Sequence, residues 1–334
     1  MDLHLYSKYR TPLMGIAMLM VIAYHQIGKP AEISLFNYDF FSLFCSLCHG
    51  GTDIFIFFSG MGLYYSLSKG DTIKVFYKRR VIRLIPCYYI VILLVAWFSN
   101  NISFWGIVEQ MSIIGFFIPG LSYYDWFVPS ILFLYLITPW YHKYFYNKEC
   151  IATALAVLTG LVLTTILIVI QKGTIIQFFS RIPIFFIGFY IGYSLKENKK
   201  ITKSRSFIIL LILLAMFSLV ILAYLTLENN NDCIFLRRNG ITHLPWILIT
   251  PGFCFCCAYL LSVLEKFKTT NWINVILVFI GGVSLEVYLI HMGIPRTNMI
   301  LGNHMEVNII NIALAFSLSK LVSYIVDNFI LKKQ

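Results

Sequence analysis

Ten long apolar runs, separated by short polar breaks, fill most of the chain: residues 11–28, 47–68, 82–99, 126–142, 151–171, 175–195, 206–227, 244–264, 273–292 and 306–331. Each is about as long as the roughly 20 residues that a helix needs to cross a bilayer core of about 30 Å. Runs such as IATALAVLTGLVLTTILIVI are apolar on every side. They lack the period-two alternation of a membrane barrel, which leaves the helix as the way to satisfy the backbone in lipid. The stretch from Ile102 to Gly120 is apolar too, but Gly106, Glu109, Gly115, Pro119 and Gly120 interrupt it. It is expected to lie at the interface or to re-enter rather than to span. The first run follows a polar start and has no small-residue cleavage site, so it is expected to remain as an anchor.

Composition supports this pattern. Of 334 residues, 59% are hydrophobic and only 12% charged, against about a quarter charged in a soluble domain. The expected fold is therefore all-α: a polytopic integral membrane protein of about ten transmembrane helices, forming a single domain over 1–334. The formal charge of +11 raises nucleic acid as a partner, but the cations fall in short loops between spans, where they act as orientation signals, and no nucleic-acid partner is expected. One alternate set of loops holds nineteen of the 26 Lys and Arg residues and the other set five, with Arg181 and Lys320 inside spans. The rule that positive loops stay inside then puts both termini in the cytoplasm.

Ionisable groups within apolar spans are costly, by at least about 2.5 kcal/mol for a central Asp, Lys or Arg, and so mark candidate sites. They are His25, Asp53, Arg181, Glu286, His291 and Lys320. The orientation puts Arg10 at the cytoplasmic mouth and His25 fifteen residues further on, about 22 Å along a helix, at outer-leaflet depth. An imidazole there can take a proton from a hydroxyl during attack on an acyl carbon. A carboxylate would orient it, and spacing does not choose between Glu286 and Asp53. In SLEVYLIH, Tyr288 and His291 share a helical face, with Glu286 about 160° from Tyr288; Glu286 is expected to face the bundle or to pair with Lys320 or Arg181. In FYKRRVIRLIPCYY, Arg79, Arg80 and Arg83 fall on one helical face at the cytoplasmic mouth. Guanidinium groups bind phosphate bidentately, so a polyphosphate donor suits them, as does anionic lipid.

Other signals weigh less. Cys45, Cys48 and His49 match a short haem-attachment pattern, and pairing of Cys45 with Cys48 or Cys233 stays open. His243 and His304 edge the outer face with no partner that the sequence names. No metal centre is expected.

Six segments in order, LMGIAMLMVIAYH, GGTDIFIFFSGMGLYYSL, FYKRRVIRLIPCYY, WFVPSILFLYLITP, RIPIFFIGFYIG and SLEVYLIH, span about residues 10 to 292. Together they resemble the integral-membrane type-three acyltransferase family, whose bacterial members acylate cell-envelope polysaccharides. The resemblance implies ten helices in the bacterial cytoplasmic membrane that take an acyl group from cytosolic acyl-CoA to a hydroxyl on the outer side. It assigns His25 as the catalytic histidine and Arg79, Arg80 and Arg83 to the donor side. The family often has an Arg eleven positions before that histidine; here Met14 stands there, and Arg10, one turn earlier, is the substitute.

The expected activity is thus an O-acyltransferase, most simply an O-acetyltransferase, with acetyl-CoA as donor substrate, no permanently bound cofactor, and a surface or lipid-linked glycan as acceptor. His25 is the base, supported by Glu286 or Asp53; Arg10, Arg79, Arg80 and Arg83 hold the donor; Arg181, Tyr288 and His291 form a second tier. The alternative is a transporter or flippase for a glycan or amphiphile. Membrane lipid is a partner in either case, and a homo-oligomer is left open. Because the chain ends just after its last span, transfer is expected to be direct or to be completed by a separate partner.

Overall fold

The computed structural model describes residues 2–27, 40–70, 72–99, 103–171, 173–199, 212–213, 215–222, 243–267, 271–293 and 305–331. Among them all regular structure is helical. Most of the expected span 206–227, the loop cations Lys29, Lys172, Lys200, Lys203, Arg205, Arg237, Arg238, Lys268, Arg296, Lys332 and Lys333, and Cys233 and His304 lie outside the described residues.

In chain order the helices are α1 (His4–Lys8), α2 (Arg10–Ile22), α3 (Phe40–Leu47), α4 (Gly51–Leu67), α5 (Ile73–Phe98), α6 (Phe104–Met111) and α7 (Phe127–Phe145). They continue as α8 (Glu149–Val169), α9 (Gly173–Phe179), α10 (Ile182–Lys196), α11 (Trp246–Leu264), α12 (Asn271–Gly282), α13 (Ser284–Gly293) and α14 (Met305–Ile325). A π-helical turn, Ala23–Ile27, continues α2, and another, Val326–Leu331, follows α14.

Among the described residues, four helical stretches are long and apolar enough to cross a membrane: Ile73–Phe98, Glu149–Val169, Ile175–Lys196 and Trp246–Leu264. A fifth joins them if Asn271–Gly282 and Ser284–Gly293 are one broken span. This is fewer than the ten runs read from hydropathy, and local geometry accounts for part of the gap. The run 11–28 changes from α to π winding at Ala23. The run 47–68 opens on a 3-10 turn, Cys48–Gly50, which leaves a 17-residue α4. The run 273–292 breaks at Val283, beside Gly281, Gly282 and Ser284, residue types at which helices kink. The interrupted piece 102–120 forms the eight-residue α6 and a 3-10 turn, Gly115–Phe117, too short to span at 1.5 Å per residue.

The chain divides into two compact units. The first comprises residues 1–24, 28–70 and 138–282. Its helices approach backbone to backbone at glycines. A Cβ at Gly60 would meet the Phe185 carbonyl oxygen, and one at Gly188 would meet the Phe57 carbonyl, so α4 and α10 hold each other through reciprocal gaps. Gly15 on α2 and Gly281 on α12 repeat the device, against the carbonyls of Leu277 and Thr11. In lipid there is little hydrophobic drive between helices, and close packing at small residues supplies the attraction instead. α8 packs Gly160 on Pro183. Its opposite face exposes Ile151, Leu155, Leu158, Val162, Ile166 and Val169, a stripe at helical period suited to acyl chains. At the other end of the chemistry, Lys8 (2.6 Å) and Tyr9 both donate to Glu265 just beyond α11, and these two hydrogen bonds hold the Glu265 carboxyl below its ordinary range.

The second unit comprises residues 25–27, 71–137 and 283–334. Here α5 packs against α6, α13 and α14. Thr72 caps α5 by accepting from the Val75 amide at 3.4 Å. Tyr88 donates to the Gln110 carbonyl at 3.0 Å, tying α5 to α6, and Tyr124 donates to the Leu289 carbonyl at 2.7 Å. Gly293 lets α13 pass the Tyr124 hydroxyl, a place that a Cβ would occupy.

The glycine crossings give a direct test. Gly60→Ala and Gly188→Ala should each destabilise the detergent-solubilised protein by about 1–3 kcal/mol, the cost of forcing an extra carbon into a filled contact. The check is a fall in the thermal midpoint of monodisperse protein, with Gly282→Ala, whose Cβ meets nothing within 4 Å, as the near-neutral control.

Candidate active site

His25 lies in the π turn that continues α2. π turns are rare and recur at functional sites. His25 is exposed at this turn, and within the second unit its ring meets that of His291, with centroids 5.2 Å apart. His291 Nε2 is 3.5 Å from His25 Nδ1, and His291 Nδ1 is 3.0 Å from the carbonyl oxygen of Val287, one turn back on α13. Unlike His25, His291 is buried, at 2% exposure. Tyr288 stands edge-on to His291 at 5.4 Å, as their shared helical face requires, and Phe127 packs on Tyr288 at 5.1 Å.

The arginines occupy the early turns of α5 in the same unit. Arg79 and Arg83 are exposed and Arg80 is half-exposed; the Arg80 guanidinium lies over the Phe76 ring at 5.0 Å. The neighbouring charges that act on Glu286, in the first turn of α13, are Arg83 and Asp327.

Asp53 belongs to the first unit and its carboxylate is committed there. Asp53 Oδ1 is 3.2 Å from Arg181 Nε, and both side chains are almost wholly buried. Arg181 Nη1 donates to the Gln177 carbonyl and to Ser180 Oγ, each at 3.1 Å, while Nη2 is 3.4 Å from His243 Nδ1. His243 meets His49 at right angles, centroids 4.8 Å apart, and His49 in turn packs on Trp246. So Arg181, one of the two cations expected as a partner for Glu286, is paired with Asp53, and His243, for which the sequence named no partner, closes a part-buried polar chain. Lys320, the other expected partner, is exposed. Arg10 opens α2 in this unit, with its guanidinium against α4 at Gly62. Cys45 and Cys48 are both buried and are not joined to each other.

Sequence reasoning also passed over Asp125, which is 2% exposed and whose Oδ2 accepts from the Val128 amide at 3.3 Å, at the start of α7. The signal was present: an Asp just ahead of an apolar helical run is a capping pattern.

Removing one member of a buried ion pair strands the other in a medium that cannot solvate it, which costs about 3–5 kcal/mol. Arg181→Met should therefore lower the thermal midpoint sharply, whereas Arg181→Met combined with Asp53→Asn should recover a large part of the loss. Additive single losses in that cycle would refute the coupling.

A family model described as an acyltransferase domain, of the type-three acyltransferase family, matches residues 13–327. No curated protein and no solved structure matches the chain.

Proposed function

Since the chain belongs to the type-three acyltransferase family, and is thereby an enzyme that transfers acyl groups in a membrane, we propose that it moves an acetyl group from cytosolic acetyl-CoA to a hydroxyl of an extracytoplasmic or lipid-linked glycan. The loop-charge asymmetry supports ten spans in the bacterial cytoplasmic membrane with both termini inside. His25 Nε2 takes the proton of the acceptor hydroxyl as its oxygen attacks the thioester carbonyl. A C–O bond forms, the C–S bond breaks, and the proton passes from His25 to the departing thiolate of coenzyme A. Arg79, Arg80 and Arg83 hold the donor's phosphates, for which planar, permanently charged guanidinium groups are suited.

The observation that carries the reading is the company His25 keeps. An exposed imidazole stands 3.5 Å from a buried second imidazole, on a helix whose first turn carries Glu286.

Purified protein in proteoliposomes, supplied with radiolabelled acetyl-CoA and envelope glycan, tests the proposal. His25→Ala should lower transfer by about 10²- to 10⁴-fold, the span of general-base contributions. Arg80→Ala with Arg83→Ala should raise the KM for acetyl-CoA about tenfold or more, as expected for the loss of charged hydrogen bonds to phosphate. Transfer by His25→Ala equal to that of wild type would overturn the proposal.

A further inference from the structure

A histidine acts as a base only through the nitrogen that lacks a hydrogen, so the tautomer of His25 decides whether it can work. The contacts of His291 determine that tautomer. The Val287 carbonyl can only accept, so His291 Nδ1, 3.0 Å away, carries a hydrogen. In a neutral ring Nε2 then holds the lone pair. That lone pair faces His25 Nδ1 at 3.5 Å. With both rings neutral, one assignment makes this contact a hydrogen bond: His25 Nδ1–H donates and His291 Nε2 accepts. The lone pair of His25 is thereby left on Nε2, the atom that must take the substrate's proton.

We propose that His291 is the positioning residue that fixes His25 in its basic tautomer, through a relay that runs from the Val287 carbonyl to His291 to His25. The proposal rests on the reading of His25 as the base of the transfer. In a Ser-His-Asp triad this role falls to a carboxylate. Of the two carboxylates that the sequence offers, Asp53 is paired with Arg181, whereas His25 meets the ring of His291. A neutral acceptor also suits the site, because a second charge in lipid surroundings would carry its own desolvation cost. Tyr288 meets the His291 ring edge-on and is itself packed by Phe127.

The geometry distinguishes two amide replacements. Glutamine at position 291 can place an oxygen where Nε2 stands, facing His25; asparagine, one methylene shorter, reaches only toward the Val287 carbonyl. In the proteoliposome assay, His291→Leu should lower kcat by about 10- to 100-fold, on the scale of lost orienting partners, while the KM for acetyl-CoA stays within about twofold. His291→Gln should recover to within about fivefold of wild type, and His291→Asn should remain as impaired as His291→Leu. A structural role would lower the amount of folded protein and would not rank Gln above Asn in kcat. Wild-type kcat in His291→Leu, or equal kcat in the Gln and Asn variants, overturns the proposal. Should His291→Leu fail to fold, the Gln and Asn comparison decides alone. His25→Ala, run alongside, separates the two claims: full transfer by that variant removes His25 as base, whereas its loss combined with an active His291→Leu removes only the relay.

Discussion

A bilayer core offers no hydrogen bonds, so a polar group placed there must find its partner within the protein. That constraint explains why the two polar clusters are built as chains rather than as single residues. Arg181 pairs with Asp53 and reaches Gln177, Ser180 and His243, and His243 leads on to His49. In the second unit the Val287 carbonyl, already bonded within its helix turn, serves as the end point for His291, which in turn meets His25. The first chain ends where His49 Nδ1 stands 2.8 Å from the Ser46 carbonyl, so both terminate on backbone, the one acceptor that a helix always carries.

The same constraint shapes the packing. With lipid tails as apolar as the side chains, helices gain little from hydrophobic burial against each other, and the first unit relies on the contact of bare backbone at Gly60 with Gly188 and at Gly15 with Gly281. Rigid crossings of this kind hold α4 and α10 in fixed register, so Asp53 near the start of one helix and Arg181 just before the other are delivered to each other without long flexible linkers.

Much of this was legible in the sequence. Hydropathy gave the helical class, and the spacing of Tyr288 and His291 gave their common face, which the 5.4 Å ring contact matches. Singling out ionisable groups within apolar runs found His25, His291, Asp53 and Arg181 without knowledge of their partners. The partners themselves were hidden, because they lie on helices distant in sequence: Asp53 and Arg181 are 128 positions apart and His25 and His291 are 266. Periodicity within one helix says nothing about which helix faces it. His291 was placed in a second tier and not named as the partner of His25 for a further reason: reasoning from charge looked for an anion, and a neutral ring leaves no charge signature. Helix ends were misjudged where the winding changes, since composition alone does not distinguish a π or 3-10 turn from an α one.

The wide turn at Ala23–Ile27 has a consequence for anyone aligning or engineering this chain. Within an α-helix, each residue added or removed rotates everything beyond it by about 100° about the axis, and a π turn loosens the winding by taking in an additional residue. The azimuth of the histidine therefore depends on the count of residues in that loop of backbone as much as on the straight helix beneath it. Excising a single residue between Ala23 and His25 would keep every side chain of the site in the protein and yet aim the imidazole at a different neighbour.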